Sequence, residues 1–214
     1  MGKQSRLKGK PAEVKAELIK LDFGCGPHKR EGFKGVDAFE FVGVDFVVNL
    51  KTRYPDAQHI TEAGIEVLRG RFKPWPWADS SVEEANASHF IEHLDAEERT
   101  HFVNELYRIL VPGGKCQIIV PHWASNRAYG DPTHKWPPVA EMWFYYLSKE
   151  WRLAQAPHTD IGVNPFGLNC DFECTWGYSL RPDLLLRNQQ YQQDALADHK
   201  EAAQDTIATL TKKA

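Results

Sequence analysis

Residues 18–27, Leu-Ile-Lys-Leu-Asp-Phe-Gly-Cys-Gly-Pro, constrain the fold of this chain more than any other stretch. A short apolar strand runs directly into a turn with two glycines. Gly24 and Gly26 have no Cβ, so the backbone there can take a positive φ and a ligand can approach bare main chain. Asp22 stands just before the turn. Strand, acid and glycine turn in this order predict the carboxyl edge of an open α/β sheet, where such sheets hold ligands in a crevice. The dinucleotide-binding fingerprint would need a third glycine at position 29, and the chain has Lys29 there.

The rest of the pattern extends the same sheet. Strands are predicted at residues 18–23, at 33–36 ending on Asp37, and at 45–48, the last an apolar run suited to burial on both faces. Only residues 24–32 separate the first two, room for about one helical turn where a parallel crossover usually needs ten or more residues. Residues 51–78 read as an irregular insertion. In the segment from Lys73 to Asp79, prolines alternate with tryptophans, which excludes regular helix and leaves a lid or an anchored loop. Residues 82–88 read as a fourth strand. Asp95 with Glu98 three residues later forms a capping-box pattern, and Phe102, Val103, Leu106, Ile109 and Leu110 follow at helical spacing. Pro112-Gly-Gly114 closes that helix before a fifth strand at 115–120. A short aromatic helix is expected at 139–147. Strict alternation over 170–180 predicts a half-buried antiparallel edge strand. Residues 183–214 contain neither Gly nor Pro and read as a C-terminal helical extension to a single domain at 1–182.

Four segments in order now resemble the class I S-adenosylmethionine-dependent methyltransferases. They are Leu21-Asp-Phe-Gly-Cys-Gly-Pro27, Gly35-Val-Asp37, Ser88-His-Phe-Ile-Glu-His-Leu94 and Leu110-Val-Pro-Gly-Gly114. The resemblance covers about residues 18–121. It implies a doubly wound, mostly parallel Rossmann-like sheet, with S-adenosylmethionine as cofactor and a small-molecule O or N acceptor. It places Gly24, Cys25 and Gly26 under the cofactor, with Asp22 holding their turn. Asp37 is the expected acceptor of both ribose hydroxyls, since an ionised carboxylate is acceptor-only. Asp45 is its rival at a longer sequence distance, less favoured because it precedes a strand. Asn49 and Leu50 fall where the family often has an acid near the adenine, and His89 falls in the segment lining the cleft after the fourth strand.

His89-Phe-Ile-Glu-His93 also matches a zinc-peptidase pattern. That reading, a zinc hydrolase using His89, Glu92 and His93, needs a helix through the motif. The segment instead follows a strand and precedes a fresh capping box, so no metal site is expected. A cofactor-binding module without turnover is the other alternative. Methyl transfer to a hydroxyl or protonated amine calls for a base. His122 and His134 lie in the loop that faces the acceptor in the family, with Asp131 to orient a partner. The aromatic-rich second half, from Trp123 to Trp151, offers either an acceptor pocket or plain packing. Net charge is −3, with 42% hydrophobic and 26% charged residues. That charge gives no global positive field for nucleic acid, and no apolar run approaches membrane-spanning length. Four cysteines in 214 residues do not make a disulfide scaffold and suggest a reducing, cytoplasmic setting. A homo-oligomer is left open.

Overall fold

The computed structural model describes residues 18–54, 58–61, 64–67, 72–162 and 167–214. A seven-stranded sheet runs through it in the order β3-β2-β1-β6-β7-β9-β8. β1 (Ile19–Phe23), β2 (Lys34–Asp37), β3 (Val44–Val47), β6 (Val82–Ser88) and β7 (Leu110–Pro121) are parallel neighbours. A separate antiparallel pair, β4 (Gln58–Thr61) and β5 (Gly64–Val67), lies in the expected insertion. Strand order reverses between β1 and β6, which is where an open α/β sheet leaves a crevice at its carboxyl ends.

Two connections differ from expectation. The 24–33 crossover contains turns and no helix at all. Arg30 does the anchoring instead. Its N–H donates to Asp22 Oδ2 (2.7 Å), and its guanidinium donates to Asn86 Oδ1 (3.2 Å) and Gln117 Oε1 (3.1 Å). One residue thus ties the crossover to β1 through its backbone and to β6 and β7 through its side chain. β3 is not buried on both faces. It is the outer edge of the sheet, with Asp45, Phe46 and Val47 exposed, so its apolar run was a misleading cue to burial.

α1 (Ala96–Ile109) starts with the full capping box. Asp95 Oδ1 accepts from the Glu98 N–H at 2.8 Å, and Glu98 Oε2 accepts from the Asp95 N–H at 2.9 Å. Its apolar stripe buries Phe102, Val103, Leu106 and Ile109 in the core. The Lys73–Asp79 segment is an anchored loop. Trp75 and Trp77 are buried and pack on Phe23, with ring centroids at 5.0 and 5.8 Å. Glu105 accepts the Trp75 N–H at 2.6 Å, and Arg108 donates to the carbonyls of Trp75 and Trp77.

The C-terminal segment is the main correction. Residues 183–214 are not a helical extension to a domain ending at 182. A 3-10 turn (Leu184–Leu186) and one helix, numbered α5 (Gln189–Asp198) in chain order, are followed by β9 (Ala203–Lys212). β9 inserts between β7 and β8 (Phe172–Leu180) and pairs antiparallel with both. Lack of Gly and Pro permits helix but does not require it. Here Thr206, Ala208 and Leu210 alternate into the core, and β-branched Thr206, Ile207, Thr209 and Thr211 favour a pleated surface. β8 is the antiparallel-paired edge strand the alternation predicts, while the strand that runs against the rest is β9.

Candidate cofactor cleft and acceptor side

Both glycines of the turn after β1 take the left-handed conformation, with φ of +64° at Gly24 and +51° at Gly26. They do different work. A Cβ built on Gly24 would sit 2.3 Å from Cδ2 of Phe90, whose ring covers that residue. Over Gly26 nothing lies within 4 Å of where a Cβ would point. The bare main chain that faces open space is therefore at Gly26. The Gly24 N–H donates to the Val36 carbonyl at 2.8 Å, which seats the turn on β2.

Asp37, at the end of β2, reaches this turn directly. Its Oδ2 accepts the Gly26 N–H at 2.9 Å and its Oδ1 accepts the Phe39 N–H at 3.1 Å. Each oxygen keeps a further lone pair for an outside donor. Asp45 is committed elsewhere. It accepts from Lys29 Nζ (2.7 Å), Lys34 Nζ (3.3 Å) and the Gly35 N–H (2.8 Å). These contacts, led by Lys29, hold its carboxyl well below the usual range, at about 2. Of the two rivals, Asp37 is the acid built into the glycine turn.

Asp22 is buried and faces inward. Asn86 donates to its Oδ1 at 2.6 Å and the Arg30 N–H to its Oδ2 at 2.7 Å, so it clamps the crossover from beneath. Cys25 lies against Gly35, where a Cβ would meet its sulfur at 2.7 Å. Burial, the largest cause, together with Asp22 and Asp37, pushes its thiol pKa up, which disfavours a reactive thiolate. Asn49 is exposed and its Oδ1 accepts the Lys51 N–H at 3.0 Å, whereas Leu50 is buried under Trp75. His89 follows β6 with a φ of +51°, a conformation uncommon outside glycine. Its Nδ1 lies 3.3 Å from Glu92 Oε1, and that hydrogen bond raises its pKa.

The acceptor-side candidates separate sharply. His122 is buried, and both its ring nitrogens are occupied. Nδ1 accepts the Ala124 N–H at 3.2 Å, so Nε2 carries the proton and donates to Glu141 Oε1 at 3.1 Å. His134 is different. Its Nδ1–H donates to the Ala128 carbonyl at 3.2 Å, and Asp131 Oδ2 lies 3.8 Å from its Nε2. Asp131 itself accepts from the N–H and hydroxyl of Thr133, which hold its pKa down. The segment containing His134 is docked on the turn after β6, where the Lys135 N–H donates to the Glu92 carbonyl at 2.8 Å.

The motif at 89–93 does not form the zinc-peptidase arrangement. Only a single 3-10 turn spans Ile91–His93, not a helix that would align His89 with His93. Arg99 was not singled out by its sequence context, yet it organises this region. Buried at the first turns of α1, it donates to the carbonyls of Ile91, Lys135 and Pro137. An arginine on the buried face of an otherwise apolar helix is the signal that could have found it.

The aromatic groups also divide. Phe144, Tyr145, Trp151 and Trp176 stack on one another where α3 (Glu141–Tyr145) and α4 (Lys149–Gln155) cover β8. They line a groove of about 380 Å³ at the sheet edge. Two strands, β7 and β9, separate that edge strand, β8, from β6. Trp123, Tyr129 and Trp136 instead stand exposed in and around α2 (Arg127–Gly130), the rings of Tyr129 and Trp136 6.5 Å apart.

Comparison with known proteins bears on this cleft. Residues 21–118 match a family described as a methyltransferase domain. A probable S-adenosylmethionine-dependent methyltransferase of Mycolicibacterium smegmatis is 30% identical over 111 residues, 48% of this chain. The chain spans only 37% of that relative's length. A crystal structure of a SAM-dependent methyltransferase from Archaeoglobus fulgidus covers 92% of this chain and 87% of its own at a TM-score of 0.52 and 20% identity, which bears on the fold.

Proposed function

We infer that this chain, which carries a class I S-adenosylmethionine-dependent methyltransferase domain, binds that cofactor at the turn after β1 and moves its methyl group to a small-molecule acceptor. The hydrogen bond between the Gly26 N–H and Asp37 Oδ2 (2.9 Å) carries this reading. It joins a positive-φ glycine under open space to an acceptor-only carboxylate, the pair of features a ribose with two vicinal hydroxyls needs.

The residues fit the cofactor in a consistent order. Asp37 accepts the ribose hydroxyls, and Gly24, Cys25 and Gly26 carry the main chain beneath. Asp22 holds that turn through Arg30 and Asn86. Leu50 offers an apolar wall and Asn49 an amide near the adenine, with His89 at the far rim. When bound, the cofactor supplies a methyl group already activated on a sulfonium. The chain therefore contributes chiefly alignment and exclusion of water. On the acceptor side, the Nε2 lone pair of His134 is the basic atom left available, and Asp131 steadies its segment. His122 is more fully committed, to Glu141 and Ala124. A reducing, cytoplasmic setting belongs to this reading and is supported by four free cysteines.

Calorimetry with S-adenosylmethionine on wild type and Asp37→Ala tests the binding half. Hydrogen bonds to a charged partner contribute about 1.5–3 kcal/mol each, so affinity should fall about tenfold or more. Unchanged affinity would remove Asp37 from the ribose role. Release of S-adenosylhomocysteine across an acceptor panel tests the transfer half. Tight binding with no release on any acceptor would favour a binding module without turnover, which the helix-free crossover and the uncharged Asn49 make worth testing.

A further inference from the structure

We propose that Glu92, His93 and His134 form a site for one divalent transition-metal ion, zinc by the character of its donors. These three residues each bring one ligand atom to within 4.8 Å of the others. The trio differs from the one its sequence motif suggests: His89 is outside it, and His134 arrives from a loop about forty residues away.

Two observations beyond proximity support the site. The first is an orphaned atom. Glu92 is 5% exposed, and its Oε2 is buried without a hydrogen-bond partner among the described residues. Leaving a buried carboxylate oxygen unmatched costs free energy that a cation would offset. Arg99 supplies some compensating charge nearby but spends its own donors on backbone carbonyls.

The second is the protonation pattern of the histidines. Thr133 donates its hydroxyl proton to Asp131 Oδ1 at 2.7 Å, so at 2.9 Å its oxygen accepts from His93 Nδ1–H. His134 Nδ1–H donates to the Ala128 carbonyl. Both rings are thereby held with Nδ1 protonated and Nε2 presenting a lone pair. Metal-binding histidines are oriented in this way, the other ring nitrogen donating to a fixed acceptor. Two imidazoles and one carboxylate, three ligands that leave one tetrahedral position to be filled, are a common donor set for catalytic zinc and for mononuclear iron(II). At Zn–N and Zn–O lengths near 2.1 Å, tetrahedral ligand atoms lie about 3.4 Å apart, so metal entry would draw the three groups together by up to an ångström or so.

Resting on the methyl-transfer reading, the metal would replace His134 as the means of activating an acceptor. An acceptor hydroxyl coordinated at the open position would lose its proton to water more readily. Its oxygen would then form the bond to the methyl carbon while the carbon–sulfur bond breaks and its electron pair stays on sulfur. A metal-bound His134 cannot also serve as a base, so the two roles are distinguishable.

Zinc titration of the whole chain by calorimetry tests the site, with His134→Ala, Glu92→Gln and the exposed-histidine control His158→Ala. Circular dichroism establishes that each variant folds. We expect one zinc per chain, about a hundredfold or greater weakening in His134→Ala and Glu92→Gln, and no change in His158→Ala. Cobalt(II) added in place of zinc should give visible absorption bands in wild type that both site variants lose. Zinc binding that is absent, non-stoichiometric or unaltered in the site variants overturns the proposal. S-adenosylmethionine affinity measured in metal-free buffer is independent of it, so loss of the metal site leaves the cofactor reading standing.

Discussion

At the scale of single residues, the cleft depends on backbone conformation more than on reactive side chains. Gly24 and Gly26 look alike in the sequence, yet one is reserved for the ring of Phe90 and the other for open space. Gly24→Ala should therefore fail twice, by a left-handed φ and by collision with Phe90. A left-handed L-residue alone costs about 1–2 kcal/mol. We expect the unfolding free energy measured in urea to fall by at least that much, with Phe90→Ala giving only partial rescue because φ is unchanged; full rescue would show that the ring is the sole constraint. Asp45 carries a pH prediction. Its carboxyl stands at about 2 in the folded chain and near 3.9 when unfolded, so its contribution is present above about pH 4 and fades as pH falls towards 2. The group is exposed and screened by solvent, so the effect is at most about 1 kcal/mol. The stability gap between wild type and Asp45→Asn should narrow from pH 7 to pH 3, and a gap that does not change with pH would assign it to lost packing instead. Asp37, Asp22 and the glycines could be read from their order in the chain. Arg30, Asn86 and Arg99 could not, because their partners lie 8 to 87 residues away in sequence and meet only in the fold.

At the scale of elements, strands with a local signature were legible and strands defined by their neighbours were not. β6 coincides with its predicted span at Val82–Ser88, and α1 begins at the predicted capping box. Both rest on short-range chemistry. β9 was missed because its alternation is carried by Ala and Thr as well as Ile and Leu, which weakens the apolar contrast that marks a strand. Its placement is consequential: Leu210 is fully buried and pairs with Cys116 of β7 and Cys174 of β8. Leu210→Ala should cost about 2–5 kcal/mol in urea unfolding, the range for large-to-small core changes. A loss below about 1 kcal/mol would mean that the last strand is a detachable extension after all.

At the scale of the whole molecule, the reversal of strand order between β1 and β6 gathers the functional candidates. The glycine turn leaves β1, Asp37 ends β2, and the 89–93 segment leaves β6, all at the carboxyl edge. The candidate cofactor side is anchored from behind, by Arg30 on β6 and β7 and by Trp75 and Trp77 against Phe23. The acceptor side is assembled differently, by a loop docked through Lys135 onto the turn after β6 and pinned by Arg99. Sequence order displayed the first half because the strand, the acid and the glycine turn follow one another directly in the chain, with Asp37 at the end of the next strand. The second half was less visible because it depends on which loop residues meet across the sheet edge. The central claim is that the turn at Gly24–Gly26 and the Asp37 carboxylate together seat the cofactor. A crystal structure of the chain with S-adenosylhomocysteine tests it most directly. The account predicts the ribose over Gly26 with both hydroxyls on Asp37; a product molecule bound elsewhere, or a ribose held by Asp45, would contradict it.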